Sequence, residues 1–269
     1  IWENLVDPRT VELTANDNTI YNFIWIDTKN GPLVLEVPPE VLGGINDFWY
    51  RWVADVGLTG EDKGRGGKYL VLPPGYQGDV PPGYVVVKPS TIGNWLFFRA
   101  FLVDGSTGPG VASVKEHLKI YPLSAAANPP PMKFVNASGV PANFVAPGDY
   151  SFWGLLNQVI QEEPAEGSDP TTLGLFASIG IVKGQPFKPD ARMKALLNKA
   201  ADVAYKMATV ESYDSRYPNK LVYPDRKWEV VFLGGSPVFR KESYLDFDAM
   251  IAFFHHAYST SEAMVIAMP

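Results

Sequence analysis

Residues 67–105 read GKYLVLPPGYQGDVPPGYVVVKPSTIGNWLFFRAFLVDG, and this stretch decides the fold. Its apolar runs are short and are separated by two proline-glycine turns, at residues 73–75 and 81–83. Branched and aromatic residues favour strands, whereas proline and glycine favour turns. The pattern therefore predicts a stack of antiparallel strands.

The same signals extend through the first half of the chain. Turn residues separate six apolar runs that predict strands: residues 20–27, 32–37, 48–56, 68–72, 84–88 and 94–103. Strands at this spacing, with no helix between them, are typical of a sandwich or a barrel. A short helix over residues 110–118 is expected to follow.

The second half of the chain has a different pattern. Residues 124–147 are rich in proline and alanine, and three consecutive prolines at 129–131 cannot continue a helix or a strand ladder. Apolar residues at helical spacing then predict three helices, over residues 152–160, 193–207 and 247–256. Residues 228–233 are expected to form an isolated strand. We expect an α+β chain: an antiparallel β-sandwich domain at 1–123, a linker at 124–147 and a mostly helical segment at 148–269.

Composition limits the classes of function. The chain has 269 residues, 46% of them hydrophobic and 19% charged, which is typical of a globular protein. A net charge of −6 argues against a broad nucleic-acid-binding surface. The absence of cysteine excludes disulfides and thiolate chemistry. No apolar stretch reaches the roughly 18 residues that a membrane span requires.

The location of the protein is predicted less directly. The sequence begins at Ile1 rather than Met, which suggests that an amino-terminal piece precedes it, such as a cleaved signal peptide. A chain without cysteine is compatible with either the periplasm or the cytosol. We expect a periplasmic or secreted protein, with a cytoplasmic location as the alternative.

Motifs for catalysis and cofactor binding are missing. No Gly-x-Ser-x-Gly elbow occurs, and residues 64–68 (GRGGK) lack the length and the following Ser or Thr of a phosphate-binding loop. The three histidines are His117, His255 and His256, and adjacent helical residues point about 100° apart, so the last two cannot share one metal. The sequence therefore predicts no metal and no cofactor.

The sharper signal is Arg99, a charge inside the most apolar predicted strand. Strand alternation places Trp95, Phe97 and Arg99 on one face and Leu96 and Phe98 on the other. Both faces are apolar, so Arg99 is expected to be buried and to be paired with a carboxylate.

Other polar side chains could join Arg99, and two interpretations remain open. In the first, a polar ligand pocket lined by aromatic residues is formed by five residues: Asp17, Tyr21, Arg51, Asp55 and Arg99. In the second, the same side chains form buried ion pairs or turn caps that fix the strand register, since structural ion pairs also concentrate charges.

Several spaced motifs resemble a known bacterial family. They are residues 16–21 (NDNTIY), 67–70 (GKYL), 74–78 (PGYQG), 89–91 (PST) and 99–105 (RAFLVDG), in one order along the chain. In this respect the chain resembles domain-of-unknown-function family twelve fifty-four, whose members usually carry a second domain, twelve fourteen, after the first.

The resemblance implies a jelly-roll-like sandwich, a helical middle segment and then another β-sandwich. The chain ends at Pro269, about where that second sandwich would start, so we expect a truncated or cleaved chain or a separate carboxy-terminal fragment as partner. The resemblance implies no reaction, substrate or catalytic residue.

Two function classes follow from the sequence. The first is non-catalytic ligand binding or homo-oligomeric self-assembly in the cell envelope. The second is a hydrolase that uses a carboxylate pair, with Asp17 and Asp55 as first candidates for acid and base. A converging carboxylate pair would favour the second class, and separately satisfied carboxylates would favour the first.

Overall fold

The structure is a computed structural model that describes residues 1–11, 16–143, 145–213, 221–228, 230, 236, 238–241 and 244–251. The chain forms two compact units. The first consists of residues 1–8, 16–140 and 162–169, and the second of residues 9–15, 141–161 and 170–269.

The first unit contains two four-stranded sheets. In the first sheet every neighbouring pair is antiparallel, and the strand order is β2 (Thr19–Asp27), β8 (Gly93–Phe101), β4 (Val41–Asp47), β5 (Trp52–Gly57). In the second sheet the order is β7 (Val85–Val87), β6 (Gly67–Val71), β3 (Leu33–Val37), β9 (Lys119–Pro122). Only the β6–β7 pair in that sheet is parallel. The prediction of an α+β chain with antiparallel sheets at its amino-terminal end is confirmed, whereas the jelly-roll connectivity stays a prediction.

The core of this unit lies between the two sheets. Buried side chains such as Ile45, Leu96 and Phe98 of the first sheet pack in one cluster with Leu35 and Tyr69 of the second. The helix α1 (Gly108–His117) adds Val114 to the same cluster. Each sheet therefore contributes one face to a shared core, as expected for a sandwich.

The second unit is mainly helical. Its described strands form two short pairs: β1 (Thr10–Val11) with β10 (Ala142–Asn143), and β11 (Arg240–Lys241) with β12 (Tyr244–Leu245). Its four described helices are α2 (Ser151–Glu162), α3 (Pro170–Ser178), α4 (Ala191–Tyr213) and α5 (Phe247–Ile251). The last residue of α2 belongs to the first unit. The Asp190 carboxylate accepts a hydrogen bond from the Met193 amide at 2.7 Å and so caps α4. None of the described helices is both long and apolar enough to cross a bilayer.

Some elements differ from the sequence-based expectation. The strand expected at residues 48–56 begins only at Trp52, because residues 47–51 form a turn, and β4, β9 and α3 were not predicted. Most of the strand expected at 228–233, and residues 252–256 of the last expected helix, lie outside the described residues. The division into domains at 123 and 147 stays a prediction.

Candidate functional site

The outer face of the first sheet carries a row of aromatic rings. The register of β2 and β8 pairs Tyr21 with Arg99, Phe23 with Phe97 and Trp25 with Trp95. Since alternate residues such as Ile20 and Phe98 point into the core, these six side chains share the opposite face. We call this face, formed by Tyr21, Phe23, Trp25, Trp95, Phe97 and Arg99, the aromatic face. Tyr21 is buried within it at 3% exposure, whereas Trp25 is 56% exposed.

The rings of the aromatic face pack against one another. The Phe23 and Phe97 centroids lie 5.2 Å apart, and Phe23 and Trp95 lie 5.5 Å apart. Trp2 adds an edge-on contact to Phe23 at 5.0 Å. These distances are within the range of favourable aromatic pairs, so the rings form a preorganised apolar surface.

A glycine in the neighbouring strand allows the apolar surface to continue across that strand. Gly44 of β4 lies beside Phe97, and a Cβ at Gly44 would lie 2.3 Å from the Trp52 ring. The Trp52 ring therefore lies directly over the glycine backbone, which only a residue without a side chain allows. The apolar surface thus continues from β8 across β4 to β5.

Arg99 is the charged residue of the aromatic face. Its guanidinium carbon lies 5.8 Å from the centre of the Phe97 ring, within the range of a cation–π contact. Its Nε is buried and has no hydrogen-bond acceptor among the described residues. Within the described part of the chain, no carboxylate lies within ion-pair distance of Arg99. The expected carboxylate partner is therefore not found there, and Arg99 is half-buried rather than buried.

The structure brings Tyr21 and Arg99 together but leaves Asp17 at the surface. The Tyr21 hydroxyl accepts a hydrogen bond from the Asn16 amide at 2.9 Å. The Asn16 side chain, rather than that of Asp17, caps the turn, because its Oδ1 accepts hydrogen bonds from the Asn18 and Thr19 amides. Asp17 itself is exposed.

Asp55 lies far from Asp17. It is exposed on β5, and its Oδ1 accepts a hydrogen bond from the Thr59 hydroxyl at 3.2 Å. Asp17 precedes β2, and β2 and β5 are the opposite edges of the sheet, three strand spacings or roughly 14 Å apart. Two catalytic carboxylates of a glycosidase lie within about 10 Å of each other, so this pair does not have that geometry.

Arg51 belongs to a different group of contacts, on a turn that the sequence analysis missed. Its Nε lies 2.6 Å from the Asp47 Oδ2, and its Nη2 donates to the Ser90 hydroxyl at 2.6 Å and to the Gly167 carbonyl at 2.5 Å. The spacing Asp47-x-x-x-Arg51 is the sequence signal that could have found the pair. Arg51 thus links the sandwich to residues 162–169.

Glu163 fastens the same stretch at a second point. Glu163 is 5% exposed, and its carboxylate accepts hydrogen bonds from the amides of Ile92 at 2.6 Å and Gly93 at 2.8 Å. Close contact adds to this, because a Cβ on Gly167 would lie 2.3 Å from the Ser90 carbonyl oxygen. We call residues 162–169 the anchored segment, since Asp47–Arg51 and Glu163 both hold it on the sandwich.

Burial changes the acidity of the two anchoring carboxyls. Burial raises the pKa of Glu163 above its usual value of 4.5, against the opposing effect of the Gly93 and Ile92 amides. Burial likewise raises the pKa of Asp47, and Arg51 opposes the rise. For each ionised carboxylate, the free energy of hydration that burial removes is therefore larger than the stabilisation that its hydrogen-bonding and charged partners provide.

The raised pKa of Glu163 predicts a specific pH dependence. Above pH 4.5 the native state keeps a proton that the unfolded state has lost, so the free energy of unfolding falls as pH rises through the folded pKa. We expect the wild type to lose stability over this window relative to Glu163→Gln, which cannot ionise. Urea unfolding between pH 4.5 and about 7 measures the difference. Parallel stability curves for the two proteins would contradict the prediction.

The described residues contain no group of three His, Asp or Glu side chains that could hold a metal ion. The aromatic face itself brings one guanidinium, that of Arg99, next to aromatic rings. Such a surface suits recognition of an anion attached to a flat apolar group.

Comparison with known proteins gives a family and a fold. Residues 1–122 match the family described as "Protein of unknown function (DUF1254)". No curated protein matches the chain. The chain is similar to the crystal structure of the VPA0106 protein from Vibrio parahaemolyticus, with a TM-score of 0.58 and 16% identity. The match covers 92% of this chain but 58% of that one, so the chain spans less than two thirds of that protein.

At this identity the structural likeness shows the fold alone. The family match adds no reaction, ligand or site residue, and it leaves the companion domain twelve fourteen as a prediction. It does cover β2 to β8, the strands that carry the aromatic face, in full. The family whose motifs the sequence resembles is therefore the one whose model matches residues 1–122, the DUF1254 family of proteins of unknown function.

Proposed function

We propose that the protein binds, without catalysis, a ligand that carries an anionic group on a flat apolar body, and that the aromatic face is the binding surface. The observation that carries the proposal is Arg99, a half-buried residue whose guanidinium carbon lies over the Phe97 ring and whose buried Nε has no hydrogen-bond acceptor among the described residues. No described carboxylate neutralises this charge.

The physical argument rests on the cost of the unpaired cation. A charged group taken out of water loses hydration, and a partner with the opposite charge recovers part of that loss. A ligand carboxylate, sulfonate or phosphate can accept two parallel hydrogen bonds from a guanidinium. The aromatic rings beside Arg99 would meanwhile contact the apolar body of the same ligand.

The geometry gives less support to the other classes. The hydrolase alternative required Asp17 and Asp55 to converge, and the strand order separates them. Self-assembly through the sandwich surface stays a prediction from the sequence, and native mass spectrometry tests it. We also propose a periplasmic or secreted location, which cell fractionation tests.

Arg99→Met provides the direct test, with benzoate and benzyl alcohol as probes. The two probes share a ring, but only benzoate carries an anion. We expect the wild type to bind benzoate about tenfold more tightly than benzyl alcohol, and Arg99→Met to bind both with similar affinity, because methionine keeps the apolar stem and removes the charge. Titrations followed by tryptophan fluorescence measure both affinities.

Arg65→Met is the matched control, since Arg65 is an exposed arginine of the same unit. This variant loses the same charge and should keep the preference for benzoate. Equal binding of the two probes by the wild type, or a preference that survives Arg99→Met, would overturn the proposal. Thermal unfolding of both variants checks that the sandwich remains folded.

A further inference from the structure

We propose a second binding site, separate from the aromatic face, that takes a neutral saccharide. It is an open cleft of about 760 Å³ on the side of the second sheet. Its walls come from the β2–β3 turn, the β6–β7 loop and the end of β9. We call it the proline-lined cleft, after Pro32, Pro81 and Pro122 in its walls. Its volume lies within the usual range of ligand sites.

The walls of the cleft are held in place before any ligand arrives. The Leu123 amide donates to the Pro32 carbonyl at 2.9 Å, which joins two of the three walls. Tyr76 and Leu123 pack against a small buried cluster that includes Leu70 and Tyr121. The Tyr76 hydroxyl donates to the Asp79 carbonyl at 3.3 Å, which folds the loop back on itself. A site that is already formed costs little ordering entropy when it binds.

The polar groups of the cleft suit a ligand with many hydroxyls. Asn30, Asp79 and Ser124 line it and are exposed, and their side chains have no hydrogen-bond partner among the described residues. Together they offer an amide, a carboxylate and a hydroxyl, which can both donate and accept. Asp79 is the one charged residue in the lining, so an anionic ligand would be repelled.

The prolines argue against a peptide as the ligand. A peptide that adds a strand needs main-chain N–H groups on its host, and Pro32, Pro81 and Pro122 have none. A polyproline ligand needs a groove lined with several aromatic rings, whereas Tyr76 is the one aromatic residue among those that line this cleft. A sugar needs neither feature, because its hydroxyls bind side chains and its ring faces contact proline and tyrosine.

Saturation-transfer NMR on the full chain tests the proposal. The probes are galactose, N-acetylglucosamine and cellobiose, with glucuronate and tetraproline as comparators. We expect saturation transfer to at least one neutral sugar, weaker transfer to glucuronate and none to tetraproline. The double variant Asn30→Ala/Asp79→Ala should bind the sugar about tenfold more weakly, since two hydrogen-bonding side chains are removed.

Asp17→Ala/Asn18→Ala is the matched control, because it removes the same residue types and the same charge from an exposed turn of the same unit. It should bind the sugar as the wild type does, and so should Arg99→Met. If the first double variant does not fold, Ser124→Ala tests the third wall of the same cleft, at the end of β9. Three results would each overturn the proposal: no saturation transfer to any neutral sugar at about 20 mM, equal sugar binding by the wild type and the Asn30→Ala/Asp79→Ala variant, or a preference for tetraproline.

Discussion

Replacing Asp47 with alanine is expected to lower the free energy of unfolding by about 3 to 5 kcal/mol, the largest loss that we predict for a polar side chain here. Asp47 is 3% exposed, and its Oδ1 accepts the amides of Trp49 and Arg51 at 2.9 Å each. Its Oδ2 pairs with the Arg51 Nε at 2.6 Å. Alanine would leave two amides and a guanidinium without this partner.

The turn that Asp47 holds is also strained. Tyr50 has a φ of 61°, a left-handed conformation that costs free energy for a residue with a side chain. The Asp47 hydrogen bonds and a bond of 3.1 Å from the Asn46 side chain to the Tyr50 carbonyl stabilise that conformation. Without the carboxylate the turn can relax, and Arg51 loses the contact that orients it toward Gly167.

Chemical denaturation of Asp47→Ala measures the loss, and Asp27→Ala is the matched control. The Asp27 Oδ1 also accepts a hydrogen bond from an amide two residues later, that of Lys29 at 2.8 Å, but Asp27 is exposed and pairs with no arginine within the described part of the chain. Water can replace the Asp27 carboxylate, so its loss should cost about 1 kcal/mol or less. Similar losses for the two variants would contradict the structural role given to Asp47.

Strand signals in the sequence were sufficient where branched and aromatic residues were continuous, as in β2, β6 and β8. They failed for β4, whose sequence VLGGIND contains two glycines that weaken any strand propensity. The structure gives the reason for one of them: a Cβ at Gly43 would lie 2.1 Å from the Phe97 carbonyl oxygen. Contacts between strands select that glycine, and such contacts cannot be read from one segment alone.

The candidate site was predicted in part. Strand alternation correctly placed Arg99 on the same face as Trp95 and Phe97, because that inference needs only local geometry. The expected carboxylate partner depended on contacts between segments, and the described residues do not provide one. Asp47 escapes a reading of the sequence for another reason: the local pattern predicts one strand over residues 48–56, and this hides the turn that joins Asp47 to Arg51.

Glu163 could not have been found from local sequence at all. Its carboxylate accepts the Ile92 and Gly93 amides from 70 or so positions away, and the charged pair Glu162-Glu163 resembles an exposed helix end. The two acceptor bonds fall at the start of β8, the strand that carries Arg99. The anchored segment therefore stabilises the strand at the centre of the aromatic face.

Glu163→Ala is accordingly expected to lower the free energy of unfolding by about 2 to 4 kcal/mol, because two backbone amides lose their acceptor and the Gly93 amide is buried. Glu166→Ala, in the same anchored segment but exposed, should change it by less than about 0.5 kcal/mol. Hydrogen exchange gives a local readout: the Ile92 and Gly93 amides should exchange faster in Glu163→Ala and unchanged in Glu166→Ala. Equal protection of these amides in both variants would show that Glu163 does not hold the anchored segment on β8.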